Sequence, residues 1–231
     1  MAAEMAKVTV LAYSDDAFLD REEAGRLLGQ QMETLRGQDL VVLGIPRGGV
    51  VVAAQLARAL DADLDVVLSR KLRTPGREEL AMGAVSEDGG LSLNDDLVAE
   101  LGIGGDAVER ERQLQLSELA RRRDFIRRDV PAVPTEGRQV IVTDDGVATG
   151  ATMVLALEAV RRQHPARLYA ALPVVSEDAL VRIIPLADEV VCLRVPRFFA
   201  AVGQFYRRFD QVDDTEVLRI LKEERVHGGV R

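Results

Sequence analysis

The sequence predicts an α/β fold: a central, mainly parallel twisted sheet flanked by helices. Three observations carry that prediction. Apolar runs such as Leu40-Val41-Val42-Leu43, Val140-Ile141-Val142 and Val190-Val191-Cys192-Leu193 show no polar alternation, as strands buried on both faces require. The first two lead into short glycine-containing turns. Each turn then gives way to apolar residues at helical spacing, which is a strand–turn–helix unit.

Composition sets the outer limits. A chain of 231 residues suits one sizeable domain, or a core with a small added subdomain. With 47% hydrophobic and 29% charged residues it belongs among ordinary globular chains. A formal charge of −8 argues against general nucleic-acid binding. Cys192 is the one cysteine, which excludes an intrachain disulfide and a multi-cysteine metal site. Its apolar neighbours make it a buried strand residue. Neither a secretion signal nor an apolar run long enough for a bilayer is evident, so the expected location is cytoplasmic, with no membrane partner.

Along the chain, residues 8–11 read as a short edge strand after a loose start. Asp20 caps a helix carrying Ala24, Leu27, Leu28, Met32 and Leu35, which Gly37 ends. Residues 40–45 form the first buried strand, followed by a helix from Val50. Residues 64–69 form the next strand. The cations and Pro75-Gly76 after it read as a mobile basic loop, Arg70 to Glu79. Residues 80–85 and 90–93 form a hairpin around Ser86-Glu87-Asp88-Gly89. Asn94 caps a short helix, and a long helix follows from Asp106. Its arginines, Arg121-Arg122-Arg123 and Arg127-Arg128, read as a solvated helix end. After the strand at 140–142 and its helix come strands at 167–175 and 189–195, with a helix capped by Ser176 between them. Asp213-Asp214-Thr215 opens a last helix, Glu216 to Glu224, and His227 begins a frayed tail.

Chemistry concentrates at Val140 to Thr152. Asp144 and Asp145 follow the strand, then Gly146-Val147-Ala148-Thr149-Gly150-Ala151-Thr152 opens a helix. Unpaired N–H groups at a helix start, aided by the helix dipole, suit a phosphate. Thr149 and Thr152 add hydroxyl donors, and Gly150 lets the backbone approach. The two acids would repel a phosphate. They suit an adjoining group that wants acceptors, such as ribose hydroxyls or a bound Mg²⁺. Pro46-Arg47-Gly48-Gly49 is a second anion-binding turn, with bare glycine N–H groups and one cation. Arg70 and Lys71 lie at the carboxyl end of a strand, where open α/β sheets bind ligands. Phe198, Phe199, Phe205, Tyr206 and Phe209 cluster after the last strand and could stack on a flat base.

The strand, the two acids and Thr149-Gly150-Ala151-Thr152 resemble the phosphoribosyl-diphosphate (PRPP) signature of type I phosphoribosyltransferases. The resemblance spans about Leu40 to Asp214 and fits best the stand-alone members whose acceptor is not settled. It implies a core of about residues 20–195 and a hood formed by 70–93 and 196–214, within one domain. It implies that Gly146, Val147, Ala148, Thr149, Gly150, Ala151 and Thr152 cradle the 5-phosphate. Pro46, Arg47, Gly48, Gly49, Arg70 and Lys71 would hold pyrophosphate. Asp144, Asp145, Lys71 and Arg47 would carry catalysis, with Mg²⁺ near the two acids and held mostly through ribose hydroxyls, pyrophosphate or water. The run from Val195 to Tyr206 is similar to the base-binding segment of 6-oxopurine enzymes, which points to Phe198 or Phe199, with Tyr206, at the acceptor. Ala148 stands where those enzymes place an aspartate, as in the adenine-type pattern, so no general base is named. The implied partners are PRPP and a small nitrogenous acceptor, purine-like first, in a possible homodimer. A non-catalytic PRPP or nucleotide sensor is the alternative from another class. A PRPP synthetase-like diphosphotransferase ranks lower for want of a second ATP-binding region.

Overall fold

A computed structural model of the chain describes residues 6–87 and 89–228. The loose start at 1–5 and the tail beyond 228 lie outside the described residues, as does Asp88 of the 86–89 turn.

Six parallel strands form the main sheet: β1 (Lys7–Ala12), β2 (Leu40–Gly44), β3 (Asp63–Val66), β7 (Gln139–Thr143), β8 (Arg167–Val174) and β9 (Glu189–Arg194). Their order across the sheet is β1-β9-β8-β7-β2-β3. Residues 8–11 thus belong to an edge strand, as expected. The apolar runs are two-sided because helices cover both faces. On one face Leu40, Val42, Ile141, Tyr169 and Val191 pack with α1 (Arg21–Gln31), α2 (Gly48–Leu60) and α7 (Asp214–Gly228). On the other, Val41, Leu43, Val140, Val142, Leu168 and Val190 pack with α5 (Ala151–Arg161) and α6 (Glu177–Ile183). Successive residues of one strand alternate between two cores, as a period of two dictates. Cys192 is fully buried in β9.

The predicted caps hold. Asp20 accepts from Glu23 N, Asn94 from Leu97 N at α3 (Asp95–Glu100), and Ser176 from Ala179 N. Two boundaries differ. α1 stops at Gln31, and a 3₁₀ turn at Glu33–Leu35 carries the chain to Gly37. α7 starts earlier than expected and runs through His227 to Gly228, because the Asp213 carboxylate accepts from Glu216 N at 2.8 Å and caps it.

The largest correction is at 69–77. The basic segment is not a loop but β4 (Ser69–Thr74), the edge of a second, antiparallel sheet with β5 (Arg77–Ser86) and β6 (Leu91–Leu93). Leu72 and Thr74 point inward while Lys71 and Arg73 point out. The alternation is present in the sequence, but four cations obscure it. The expected strand at 64–69 is correspondingly two elements, β3 and β4.

The long helix α4 (Gly105–Arg127) lies against this small sheet. It buries Val108, Gln115, Leu119 and Ile126, whereas Leu114 and Phe125 face outward. Its arginines pair with carboxylates: Arg121 with Glu118, Arg122 with Asp214, Arg123 with Asp124 and Arg127 with Asp65.

Candidate active site

β2 and β7 are neighbours, yet their following helices cross to opposite faces of the sheet. Their carboxyl ends therefore open a crevice, the place where open α/β sheets receive ligands. The turn after β2 holds Pro46, Arg47, Gly48 and Gly49; the turn after β7 holds 144–150. The peptide bond between Pro46 and Arg47 is cis.

The two turns touch. A Cβ on Gly49 would lie 2.8 Å from both the Cα and Oδ1 of Asp144. A Cβ on Gly48 would overlap the Asp145 carboxylate. Both glycines are needed for that approach, which is a stronger reason than turn geometry.

The second turn is braced from outside. Ser176 Oγ donates to the Ala148 carbonyl at 2.6 Å, and Arg182 Nη1 to the Thr149 carbonyl at 2.8 Å. Val147 N bonds to Val174 O at 2.9 Å. Gly150 caps α5 with φ of 80°, a left-handed conformation that a side chain would strain. The carbonyls are thus drawn away toward α6. The N–H groups of Ala148 to Gly150 precede α5 and those of Ala151 and Thr152 belong to its first turn, so α5 supplies them no acceptor. Asp144, Gly146 to Met153, Val202 and Lys71 line one cavity of about 110 Å³ there.

Lys71 reaches this cavity from β4, but Arg70 does not. Neighbouring residues on a strand face opposite ways. The Arg70 Nε donates to Gln115 Oε1 of α4 at 2.6 Å, and burial holds its pKa below the usual arginine value. Of the two β4 cations expected at pyrophosphate, Lys71 alone lines this cavity, and Arg70 serves the contact between the small sheet and α4.

The two acids sit in opposing fields. Burial raises Asp144 well above the usual carboxylate range, and the Asp145 charge adds to this; the Asp145 N–H, Lys71 and Arg21 work against it. Burial also raises Asp145, opposed chiefly by a hydrogen bond from Arg21. Sequence reasoning places Arg21 only in a packing helix and misses this role. It is 9% exposed, and its Nε donates to Asp145 Oδ2 at 2.7 Å. The available signal is a cation directly after the Asp20 cap, where a helix start favours anions.

The aromatic cluster divides. Phe198 is 70% exposed. Phe199 packs on Phe205, ring centroids 4.9 Å apart. Tyr206 corrects the expectation of a base-stacking residue: it is 6% exposed and its ring packs on both Phe18 and Phe209. Its hydroxyl donates to the Asp145 carbonyl. The cluster thus supports the acid turn through Tyr206 and leaves Phe198 open.

Two carboxylates beside a phosphate-sized turn make an oxygen donor set that suits Mg²⁺ completed by ligand oxygens and water. Among the described residues there is no group of three or more His, Cys, Asp or Glu able to hold a metal unaided. No described helix is long and apolar enough to cross a membrane.

Fold and site together define an α/β protein with two facing glycine-containing turns and a pair of acids at a topological switch point. Residues 16–207 match the phosphoribosyl transferase domain, and the chain belongs to that family. It is 44% identical over 210 residues to "Putative phosphoribosyl transferase Rv0571c" of Mycobacterium tuberculosis H37Rv, covering 91% of this chain and 47% of that protein. The same figures hold for "Putative phosphoribosyl transferase MT0597" of strain CDC 1551. The chain spans about half the length of these curated relatives. The crystal structure of TT1426 from Thermus thermophilus is 45% identical, with a TM-score of 0.76 over 90% of this chain and 98% of that one. The mixed α/β architecture is the phosphoribosyltransferase fold.

Proposed function

We propose that the chain transfers the 5-phosphoribosyl group of PRPP to a nitrogenous acceptor, releasing pyrophosphate, with Mg²⁺ as cofactor. One observation carries this reading above the rest. Lys71, Asp144 and the turn Gly146 to Thr152 line a single cavity, and the Gly48-Gly49 turn abuts both acids. A 5-phosphate seated at Ala148–Thr152 puts the ribose hydroxyls at Asp144 and Asp145 and leaves the diphosphate facing Arg47, Gly48, Gly49 and Lys71. The small second sheet that carries Lys71, with the 196–214 segment, then forms the hood of one domain.

In the reaction the bond from ribose C1 to pyrophosphate breaks and the pyrophosphate oxygen keeps the electron pair. The acceptor nitrogen supplies the pair for the new C1–N bond and loses its proton to solvent or a base. Positive charge grows on the ring and negative charge on the leaving group. Lys71 and Arg47 stabilise the latter, and the two acids hold the sugar so that its charge develops beside them. Bound Mg²⁺ would add charge neutralisation at the diphosphate. Ala148 has no group to take that proton, which then passes to solvent water. The exposed Phe198 ring favours a flat acceptor, a purine-like base first.

Pyrophosphate release on mixing the protein with PRPP, Mg²⁺ and a panel of bases tests this. Release with at least one base, abolished in Asp145→Asn, is the expected result. Tight PRPP binding without release for any acceptor would favour the regulatory sensor instead.

A further inference from the structure

The geometry points to Arg21 as a positioning residue: it fixes the Asp145 carboxylate for the ribose hydroxyls and reaches the sugar only through it. This rests on the phosphoribosyl-transfer reading above. A guanidinium that is 9% exposed needs partners, since an unpaired buried charge is costly. Arg21 has three. Nε donates to Asp145 Oδ2 at 2.7 Å, Nη1 donates to the Asp210 carbonyl at 2.8 Å, and the Phe209 ring centroid lies 3.8 Å from its Cζ.

These contacts close a ring of residues. Phe209 stacks on Tyr206 with centroids 5.2 Å apart, and Tyr206 donates its hydroxyl to the backbone carbonyl of the same Asp145. One assembly therefore grips Asp145 by its carboxylate and by its main chain. An aspartate without that grip would turn about two side-chain bonds; the ion pair fixes both.

The placement separates Arg21 from the proposed 5-phosphate turn, and the test below separates it from the diphosphate. Arg21 lies behind Gly48, where a Cβ would come within 2.8 Å of its Nε. It lines a cavity of about 280 Å³ with Arg47, Gly48 and Phe209. It does not line the cavity that holds Lys71, Asp144 and the 146–152 turn. Its reach to the sugar is thus through Asp145.

The test measures calorimetric binding of ribose 5-phosphate and of inorganic pyrophosphate separately, each with Mg²⁺, together with kcat and KM for PRPP. In Arg21→Gln the affinity for ribose 5-phosphate should fall about tenfold, as loss of a charged hydrogen bond implies, with pyrophosphate affinity within about twofold. The fall in kcat should exceed the rise in KM, and Arg21→Lys should restore part of it. Phe209→Leu, which loosens the clamp without removing charge, should show the same pattern at smaller size if Arg21→Gln fails to fold. Equal weakening of pyrophosphate in these variants would make Arg21 a direct anion ligand and overturn the inference, as would unchanged ribose 5-phosphate binding. If the unaltered protein bound neither probe nor PRPP, the transfer reading itself would fall and take this one with it.

Discussion

Gly48 and Asp145 meet with no room for a carbon atom between them: a Cβ on the first would overlap the carboxylate of the second. The contact joins the start of α2 to the turn after β7, and so ties together the two halves of the proposed ligand crevice. Replacing glycine by alanine at a helix start ordinarily helps, because alanine restricts the unfolded chain. Here the opposite is expected. Gly48→Ala should lower stability by about 1–3 kcal/mol through overpacking, and should move the acid turn. Gly105→Ala, at the open first residue of α4 with nothing near its would-be Cβ, should be neutral or gain about 0.4–1 kcal/mol. Thermal unfolding of both variants checks the contrast, and a stable, active Gly48→Ala protein would refute the packing argument.

Lys71 and Arg70 offer a second contrast, one residue apart on β4. Lys71 lines the 146–152 cavity, while Arg70 bonds Gln115 of α4. Lys71→Ala should cut kcat/KM for PRPP by about 10²-fold or more, as loss of a preorganised charge at a leaving group does, with little change in unfolding midpoint. Arg70→Ala should do the reverse: about 1–2 kcal/mol of stability lost with the half-buried hydrogen bond, and turnover nearly retained. Paired kinetics and urea melts decide it. Equal kinetic losses in both variants would mean that β4 does not present its side chains as described.

The contrast also shows what the sequence can and cannot convey. The strands at 40–44, 139–143 and 189–194 are legible because burial on both faces leaves an unbroken apolar run. The turn at 144–152 is legible because acid, glycine and threonine occur there in a fixed order, and the turn at 46–49 because Pro46-Arg47-Gly48-Gly49 stands between a buried apolar run and helical spacing. The small sheet is hidden, since a strand whose outward positions are Lys71 and Arg73 reads locally as a polar loop. Arg21 and Asp145 lie 124 residues apart, and no local pattern announces a pair at that separation. Tyr206 groups with its aromatic neighbours in the sequence as in the structure, but it serves the acid turn rather than the ligand. Only the packing of Phe18 and Phe209 on its ring shows that it faces inward.

Asp65 makes the strongest purely structural prediction. It is 2% exposed, on β3, and accepts from Arg127 Nη1 at 2.6 Å, Val66 N at 2.8 Å and Val133 N at 2.9 Å. The carboxylate thus fastens the end of α4 and the following loop to the sheet. Asp65→Ala removes three acceptor contacts and strands a largely buried guanidinium, so a loss of about 3–5 kcal/mol is expected. Asp65→Asn keeps an oxygen and should lose less. Chemical denaturation measures both. A loss below about 1 kcal/mol for the alanine variant would show that Arg127 simply turns out to water.

Cys192 predicts how stability changes at alkaline pH. Its side chain is fully buried in β9, and burial pushes the thiol up to about 12. In the unfolded chain a cysteine ionises near pH ~8.5. Above that pH the unfolded state sheds a proton that the folded state keeps, so unfolding is favoured progressively as pH rises. The contribution should be flat below about pH 8 and should grow until the folded thiol itself ionises. Two measurements follow. The unfolding free energy should fall less between about pH 8 and 10 in Cys192→Ala than in the unaltered protein, after allowing for the constant cost of the lost side chain. Iodoacetamide at about pH 8 should leave the folded thiol unmodified and label it only in denaturant. Rapid labelling of the folded protein would mean that β9 opens at the sheet far more readily than its burial between β1 and β8 allows.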